Sequence, residues 1–279
     1  MFSPKVSVLM LTFNRAELLS AAIQSIVNQT FMDWELLVVH DGPNERIAQV
    51  MTEWAAREPR IQYFRRLQPG NIAEATNFGL RKARGEYIAI LDDDDRWTPT
   101  TKLEKQTDFL HKNADYVVCG GGVIVTDSHG NETLRYLKPE DDISIKEMAL
   151  LANPIAHSTA MYRRSAIEQC GLYDETLAGF QDWDVWLKLG KLGKLYNFPE
   201  HFLYYTIWEG GGSFQQHKKN TQSAIRIVNR HRGAYPGFLS SIAMQWSQHG
   251  YAHLPVSWRR ASFSYLSRFK KSLFSKENS

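Results

Sequence analysis

Short apolar runs alternate with amphipathic segments along the first ninety residues, and this alternation constrains the fold more than any other feature. Four runs are rich in strand-forming residues, at 6–11, 35–40, 61–64 and 87–91. Three segments between them repeat apolar residues with helical spacing, at 14–29, 48–57 and 72–83. Strands that alternate with helices in this way form a mostly parallel sheet with right-handed crossovers. The sequence therefore predicts an α/β fold.

Near residue 100 the alternation stops, although one continuous body is expected up to about residue 208. Asn14 and Glu17 predict a capping-box start for the first helix. Thr98-Pro99 predicts the start of a helix that ends near residue 112. The remaining predicted elements are strands at 115–119 and 123–126 around a glycine triplet, a polar connection at 127–142, a helix at 145–151, a strand at 155–162 and a helix at 164–169.

Four consecutive aspartates, Asp92 to Asp95, follow the predicted strand at 87–91 and so occupy its carboxyl end. In an open α/β sheet, ligands bind at this edge. Carboxylates packed into one turn repel each other unless a cation or hydrogen-bond donors neutralise them. Oxygen ligands suit a hard divalent ion such as Mg²⁺ or Mn²⁺, which commonly bridges to phosphates. Taken alone, the run is more typical of a solvated acidic turn, and the neighbouring segments favour the metal site.

The turn after the first strand contains no glycine that would admit a pyrophosphate close to the helix, and no Walker A sequence occurs. The acid after the second strand would by itself also suit a dinucleotide enzyme. Phe13 is placed to stack on a base, and Asp41 is placed to accept hydrogen bonds from a base or ribose. The alternative roles are a core aromatic for Phe13 and a turn-forming Asp-Gly pair for Asp41.

A second group of candidate residues lies in the segment GFQDWDVWLKLGKL at 179–192. Asp182 falls in the first turn of a predicted helix, where it serves either as an N-terminal cap or, beside a metal-phosphate site, as a general base. Trp183 can stack against a sugar ring. His157 lies inside a predicted apolar strand, where a histidine is more often a core residue than a catalytic one.

Composition and charge separate the body of the chain from its tail. Two cysteines, Cys119 and Cys170, match no disulfide framework, and neither a signal-peptide pattern nor an 18-residue apolar run occurs, so a cytoplasmic protein is expected. Residues 213–279 carry eleven Lys and Arg against one acid, whereas the remainder carries 22 basic and 29 acidic residues. The basic tail indicates an anionic surface, either a membrane or nucleic acid, whereas the charge of the body argues against binding of nucleic acid there.

The segment SWRRASFSYLSRFKKSLF, at 257–274, places apolar residues on one helical face and arginines and lysines on the other. This pattern is typical of an interfacial helix that lies on an anionic membrane surface. It would bring the protein to the inner face of the membrane. The alternative is an ordinary helix that covers the body of the protein or forms a dimer contact.

Four segments in this order and spacing resemble the family 2 glycosyltransferases of the GT-A fold, including the spore-coat polysaccharide type. They are VSVLMLTFNRAELLSAAIQSIVNQTFMDWELLVVHDG, NFGLRKARGEYIAILDDDDRW, AMYRRSAIEQCGLYDE and QDWDVWLKLGKLG. The resemblance covers roughly residues 4–205. It implies a metal-dependent enzyme that inverts the anomeric carbon while it moves a sugar from a nucleotide-diphosphate donor, expected to be a UDP-sugar, to a glycan or lipid-linked acceptor.

The resemblance also implies roles for single residues. The nucleoside pocket would contain Thr12, Phe13 and Asn14, and Asp41 would bind the uracil. Asp92 to Asp94 occupy the DxD position, which assigns Asp92 and Asp93 to the nucleotide-sugar, with Asp93 on the ribose, and Asp94 to Mn²⁺ or Mg²⁺. Asp182 matches the catalytic base, and His157 and Trp183 would line the acceptor or donor pocket.

On the same reading, residues 1–100 form the nucleotide-sugar-binding half, 101–208 the half with the acceptor site and the base, and 209–279 a basic helical extension. The sequence departs from the family pattern at four positions: His40, Gln181, Thr206 and Trp208. Because of Thr206 and Trp208, the sequence does not identify the third protein ligand of the metal, and His217 is the substitute that it offers. A non-catalytic nucleotide-sugar-binding protein would explain these departures but not the retention of Asp182.

Overall fold

The computed structural model describes residues 4–66, 68–207 and 217–253. Its strands are β1 Val6–Thr12, β2 Trp34–His40, β3 Ile61–Arg65, β4 Tyr87–Ile90, β5 Arg96–Trp97, β6 Tyr116–Thr126, β7 Glu132–Tyr136, β8 Met161–Arg163 and β9 Lys194–Thr206. Its helices are α1 Ala16–Val27, α2 Glu45–Arg57, α3 Ile72–Leu80, α4 Lys102–Lys112, α5 Asp142–Met148, α6 Arg164–Gln169, α7 Gln181–Leu189, α8 His217–His231 and α9 Phe238–His253, with a 3₁₀ helix at His157–Thr159.

The first four strands in space form the parallel sheet that the alternation predicts. The order across the sheet is β3-β2-β1-β4-β8-β6-β9-β5, and β1 pairs in parallel with both β2 and β4. β2 is buried along its whole length, as expected for a strand that is covered on both faces. Parallel pairing places the carboxyl ends of β2, β1 and β4 at one edge, so Asp41, Thr12 and Asp92 follow one another along it.

The second half of the sheet is mixed, so the prediction of a mostly parallel sheet holds for the first half of the chain. β8 is antiparallel to β4 and to β6, while β6 runs parallel to β9. β7 forms an antiparallel hairpin with β6 inside the segment predicted as a polar connection. Strands from both sides of residue 100 thus share one sheet.

Two predicted strands near a glycine triplet are one strand. β6 runs without interruption through Gly120, Gly121 and Gly122. A Cβ on Gly121 would lie 2.5 Å from the ring of Phe202, so glycine here permits the close approach of β9 and does not form a turn. The predicted strand at 155–162 is also wrong, because the 3₁₀ helix occupies its middle and β8 begins at Met161.

Two predicted helix starts are displaced. α1 begins at Ala16 with Arg15 as its N-cap, and no side chain caps it, so the capping box at Asn14 and Glu17 is absent. The backbone carbonyl of Arg15 accepts the N–H groups of Leu18 and Leu19 instead. α4 begins at Lys102, after the cis Thr98-Pro99 bond.

Alternate residues of the strands face two apolar clusters on opposite sides of the sheet. Val8 and Met10 of β1 belong to one cluster, and Leu9 belongs to the other. A third cluster joins α7 to α8 through Trp183, Leu187 and Ile227. Burial of each such apolar side chain contributes roughly 1.5–3 kcal/mol to the free energy of folding. The tail therefore contains a helix that packs on the body, and the predicted helix at 257–274 lies outside the described residues.

Candidate active site

The acidic turn that follows β4 is held by the 3₁₀ helix. Ser158 Oγ donates to Asp92 Oδ2 at 3.0 Å and accepts the backbone N–H of Asp92 at 3.3 Å. The indole N–H of Trp97 donates to the Ser158 carbonyl at 2.7 Å. These bonds fix the turn at the carboxyl edge of the sheet, where the sequence places it.

The acidic turn contains more buried carboxylates than the positive charge beside it neutralises. The Arg15 guanidinium forms ion pairs with Asp93 and Asp94. Burial nevertheless raises the pKa of Asp93 to about 6, against the lowering effect of the Arg15 charge. Burial and the charges of Asp92 and Asp94 also raise the pKa of Asp95 well above its usual value. The turn therefore favours additional positive charge.

A second polar group lies beside the first strand ends. Asp41 donates its backbone N–H to the Thr12 carbonyl at 2.9 Å, and its carboxylate pairs with the Arg66 guanidinium at 2.8 Å. The backbone N–H of Gly70 donates to the same carboxylate at 3.1 Å. The Phe13 side chain is 51% exposed, so a planar ligand has access to its ring. This corner combines an accessible aromatic face with a fixed acid and a cation.

Asp182 lies in the first turn of α7 and is half-buried. Its Oδ2 accepts a hydrogen bond from Asn153 Nδ2 at 2.6 Å. The Asn153 carbonyl in turn accepts from Lys138 Nζ at 2.7 Å. Burial lowers the pKa of Lys138, and the charge of Asp182 opposes that shift. Asn153 thus fixes the Asp182 carboxylate, and Lys138 contacts Asn153 from the other side.

Two tyrosines link Asp182 to the acidic turn. Burial raises the pKa of Tyr173, and the charges of both Asp182 and Asp92 raise it further, so the electric fields of both carboxylates reach the same buried hydroxyl. The Tyr136 pKa is raised by burial and then by the charge of Asp95, and the same ring lies 6.0 Å from Lys138 Nζ. The 3₁₀ helix connects the two groups, since Ser158 bonds to Asp92 and the His157 ring lies 6.0 Å from Trp186 of α7, the helix that carries Asp182.

The family model described as Glycosyl transferase family 2 matches residues 7–171. The chain belongs to glycosyl transferase family 2. Among its relatives, the amylovoran biosynthesis glycosyltransferase AmsE of Erwinia amylovora is 30% identical over 198 residues, which cover 70% of this chain and 73% of AmsE. The uncharacterized glycosyltransferase MJ1057 of Methanocaldococcus jannaschii is 32% identical over 207 residues, 73% and 70% of the two chains.

Solved structures confirm the GT-A fold of this glycosyltransferase. S. aureus TarS 1-349 in complex with UDP-GlcNAc superimposes with a TM-score of 0.69 at 16% identity, over 96% of this chain and 77% of that one. The mannosyltransferase PcManGT from Pyrobaculum calidifontis, in complex with GDP-Man and Mn²⁺, gives a TM-score of 0.66 at 15% identity, over 98% and 88% of the two chains.

The structure corrects the predicted role of Trp183 and places His157 among aromatic side chains. Trp183 is 3% exposed, and its indole N–H donates to the Ala149 carbonyl at 2.7 Å, so the ring belongs to the core and is closed to a sugar. The His157 ring lies 6.4 Å from Tyr173 and 6.0 Å from Trp186, measured between ring centroids. Trp208 and the side chain of His217 lie outside the described residues.

Sequence reasoning missed four residues that complete the site of the glycosyltransferase. Arg15 and Arg66 directly follow the turn after β1 and the end of β3, so the rule that ligands bind at the carboxyl ends of strands would have identified them. Asn153 and Ser158 lie in no motif. Their roles depend on contacts with Asp182 and Asp92 that only the folded chain brings about.

The acidic turn fits a hard divalent cation by its chemistry. The available ligand atoms are carboxylate oxygens, which such an ion prefers. The Asp94 side chain is 14% exposed, so an ion has access to it. Burial raises the pKa of the neighbouring Asp95, which an added positive charge would counteract. Within the described residues no group of three or more His, Cys, Asp or Glu side chains converges on one point. The described helices also include none that is long and apolar enough to span a membrane.

Proposed function

We propose that this glycosyltransferase transfers a sugar, with inversion at the anomeric carbon, from a nucleotide-diphosphate donor to a hydroxyl group of a glycan or lipid-linked acceptor. The observation that supports the proposal is that the 3₁₀ helix connects the acidic turn to the helix of Asp182: Ser158 bonds to Asp92, and the His157 ring lies 6.0 Å from Trp186 of α7. The name of AmsE, which concerns amylovoran biosynthesis, favours a role in the synthesis of a cell-surface polysaccharide.

The nucleoside would bind at the corner formed by the first two strand ends. The exposed ring of Phe13 stacks on the base, and Asp41 accepts from its N–H groups while paired with Arg66. Thr12 and Asn14 line the same pocket. Asp92 and Asp93 then lie on the ribose side. A UDP-sugar is our first candidate, which the UDP-GlcNAc complex of TarS supports, and GDP-sugars are the second because PcManGT binds GDP-Man.

The diphosphate would lie against the acidic turn. Asp94 would hold Mn²⁺ or Mg²⁺, which would supply Lewis-acid stabilisation of charge on the leaving diphosphate, and the Mn²⁺ complex of PcManGT supports this choice. Arg15 pairs with Asp93 and Asp94 in the same turn and brings a positive charge to the side of the proposed diphosphate site.

Asp182 would act as the general base. It accepts the proton of the acceptor hydroxyl as that oxygen attacks the anomeric carbon, and the bond to the diphosphate breaks on the opposite face. A single displacement of this kind inverts the stereochemistry. The first turn of α7 places the Asp182 side chain, and the hydrogen bond from Asn153 fixes its carboxylate.

The three predicted regions keep their roles in this proposal. Residues 1–100 hold the donor, 101–208 hold the base and receive the acceptor, and 209–279 form the basic extension. We further propose that the extension rests on the inner membrane surface through 257–274, which would place the protein on the cytoplasmic side beside lipid-linked acceptors. Co-sedimentation with anionic vesicles tests this, since a chain that ends at residue 255 should lose the binding that the full chain has.

Activity and donor binding together test the catalytic assignments. Asp182→Asn should leave the affinity for UDP-sugar within about twofold and reduce transfer or donor hydrolysis by at least about a hundredfold, because it removes the proton acceptor. Asp94→Ala should abolish the Mn²⁺-dependent part of donor binding in calorimetry. Asp108→Asn, on the exposed face of α4, is the matched control for both. A fully active Asp182→Asn protein would refute the base assignment.

A thermal-shift panel of UDP- and GDP-sugars with Mn²⁺ identifies the donor. Stabilisation by one sugar nucleotide, followed by metal-dependent hydrolysis of the same compound, is the expected result. Binding without hydrolysis or transfer to any acceptor would favour the alternative of a non-catalytic nucleotide-sugar-binding protein.

A further inference from the structure

We propose that Asn153 is a positioning residue that selects which oxygen of Asp182 receives the proton, and that Lys138 holds Asn153 in place. This inference rests on the proposed function, because it gives Asp182 the role of base. Neither residue belongs to a motif of the sequence, and neither needs to touch the donor.

The bond from Asn153 Nδ2 to Asp182 Oδ2 measures 2.6 Å and joins residues that are 29 positions apart. Among the described residues no other hydrogen bond reaches the Asp182 carboxylate, so Oδ1 remains open to an acceptor hydroxyl. A carboxylate rotates through a broad range about its last torsion unless a partner fixes it. The amide therefore determines which oxygen faces the reaction.

Asn153 is itself fixed from the other side. Lys138 Nζ donates to the Asn153 backbone carbonyl at 2.7 Å. Lys138 follows β7 by two residues, and its ammonium lies 6.0 Å from the Tyr136 ring at the end of that strand. A connected path thus runs from the β6–β7 hairpin, through Lys138 and Asn153, to the carboxylate of Asp182.

The side-chain oxygen of Asn153 gives an independent reason to assign it a task. This atom is buried, and among the described residues it has no hydrogen-bond donor. A buried acceptor without a partner costs roughly 1–3 kcal/mol. An asparagine that served packing alone would gain stability on replacement by an apolar residue. The cost is understandable if the amide N–H is needed at Asp182.

Kinetics of two variants test the proposal. Asn153→Ala should lower kcat about 10- to 100-fold, which is the range expected when a reacting group loses its orientation, and should leave the donor Kd within twofold. Asn153→Asp preserves volume but removes the donor and adds a repelling charge. A positioning role predicts that Asn153→Asp is more damaging to kcat than Asn153→Ala, whereas a packing role predicts the reverse order.

Lys138→Met should show a smaller loss of kcat, about 3- to 10-fold, with an unchanged donor Kd. Asn229→Ala is the matched control, because Asn229 of α8 is exposed and donates to the Ile225 carbonyl of its own helix. Folding of every variant is checked by its thermal midpoint.

The outcomes separate this inference from the proposed function. If Asn153→Ala retains kcat within twofold, or Asn153→Asp is the milder change, the positioning role is wrong while an inactive Asp182→Asn protein keeps the base assignment. An active Asp182→Asn protein removes both.

Discussion

Asp184 anchors the catalytic helix to the C-terminal extension, and its replacement by asparagine should destabilise the protein strongly. The residue is fully buried in α7, two positions after Asp182. Its carboxylate lies 2.9 Å from His231 Nε2 and 2.9 Å from Arg230 Nη1 of α8, and 2.9 Å from Lys188 Nζ. Burial acts to raise the pKa of Asp184, but the hydrogen bonds and charges of these partners hold it well below its usual range.

The size of the effect follows from burial. Removing one partner of a buried ion pair costs roughly 3–5 kcal/mol, because the charges that remain have no compensation. Asparagine keeps the volume of the side chain, and the Arg230 and Lys188 side chains retain 35% and 19% exposure, so water compensates them in part. We therefore expect Asp184→Asn to lose about 3 kcal/mol of unfolding free energy. In a chain of this size, that corresponds to a fall of roughly 6 °C in the thermal midpoint.

Urea unfolding at pH 7, followed by tryptophan fluorescence, measures this loss, since Trp183 and Trp186 both lie in α7. Asp108→Asn is the matched control: the Asp108–Lys112 pair has side chains 56% and 68% exposed, and its removal should change the unfolding free energy by about 0.5 kcal/mol or less. A loss below about 1 kcal/mol in Asp184→Asn would refute the view that this buried pair joins the two helices.

Two further predictions concern a buried lysine and a tight turn. Burial lowers the pKa of Lys102 to about 7, so the unfolded chain binds more protons between pH 7 and about 10.4 and the wild type should gain up to about 1.4 kcal/mol per pH unit there. In urea unfolding measured from pH 6 to 10, Lys102→Met should lose this gain in unfolding free energy, and the control Lys112→Met should keep it. Equal pH slopes for the wild type and Lys102→Met would contradict the assignment. A Cβ on Gly42 would lie 2.3 Å from the Phe13 carbonyl, whereas one on Gly233 meets nothing within 4 Å. Gly42→Ala should therefore weaken donor binding about tenfold in calorimetry with Gly233→Ala unchanged, and equal affinities would show that the turn adapts without moving Phe13.

The position of the acids at the edge of the sheet could be predicted because it depends on local sequence and on strand direction. Asp41 and Asp92 each follow an apolar strand, and parallel strands bring their carboxyl ends to one edge whatever the rest of the chain does. The partners of these acids could not be predicted in the same way. Arg15 reaches Asp94 across 79 positions of the sequence, and no spacing rule links the two.

The sequence by itself determined the α/β order of the first half and the kind of chemistry, since hydrophobic periodicity and residue type act over a few positions. Tertiary structure decided that the glycine triplet continues a strand, that Trp183 belongs to the core, and that Asn153 bonds to Asp182. Each of these outcomes depends on which surfaces meet when distant segments pack. Close packing of the whole chain selects one arrangement of such contacts, and the sequence of a single strand or helix does not specify its partners.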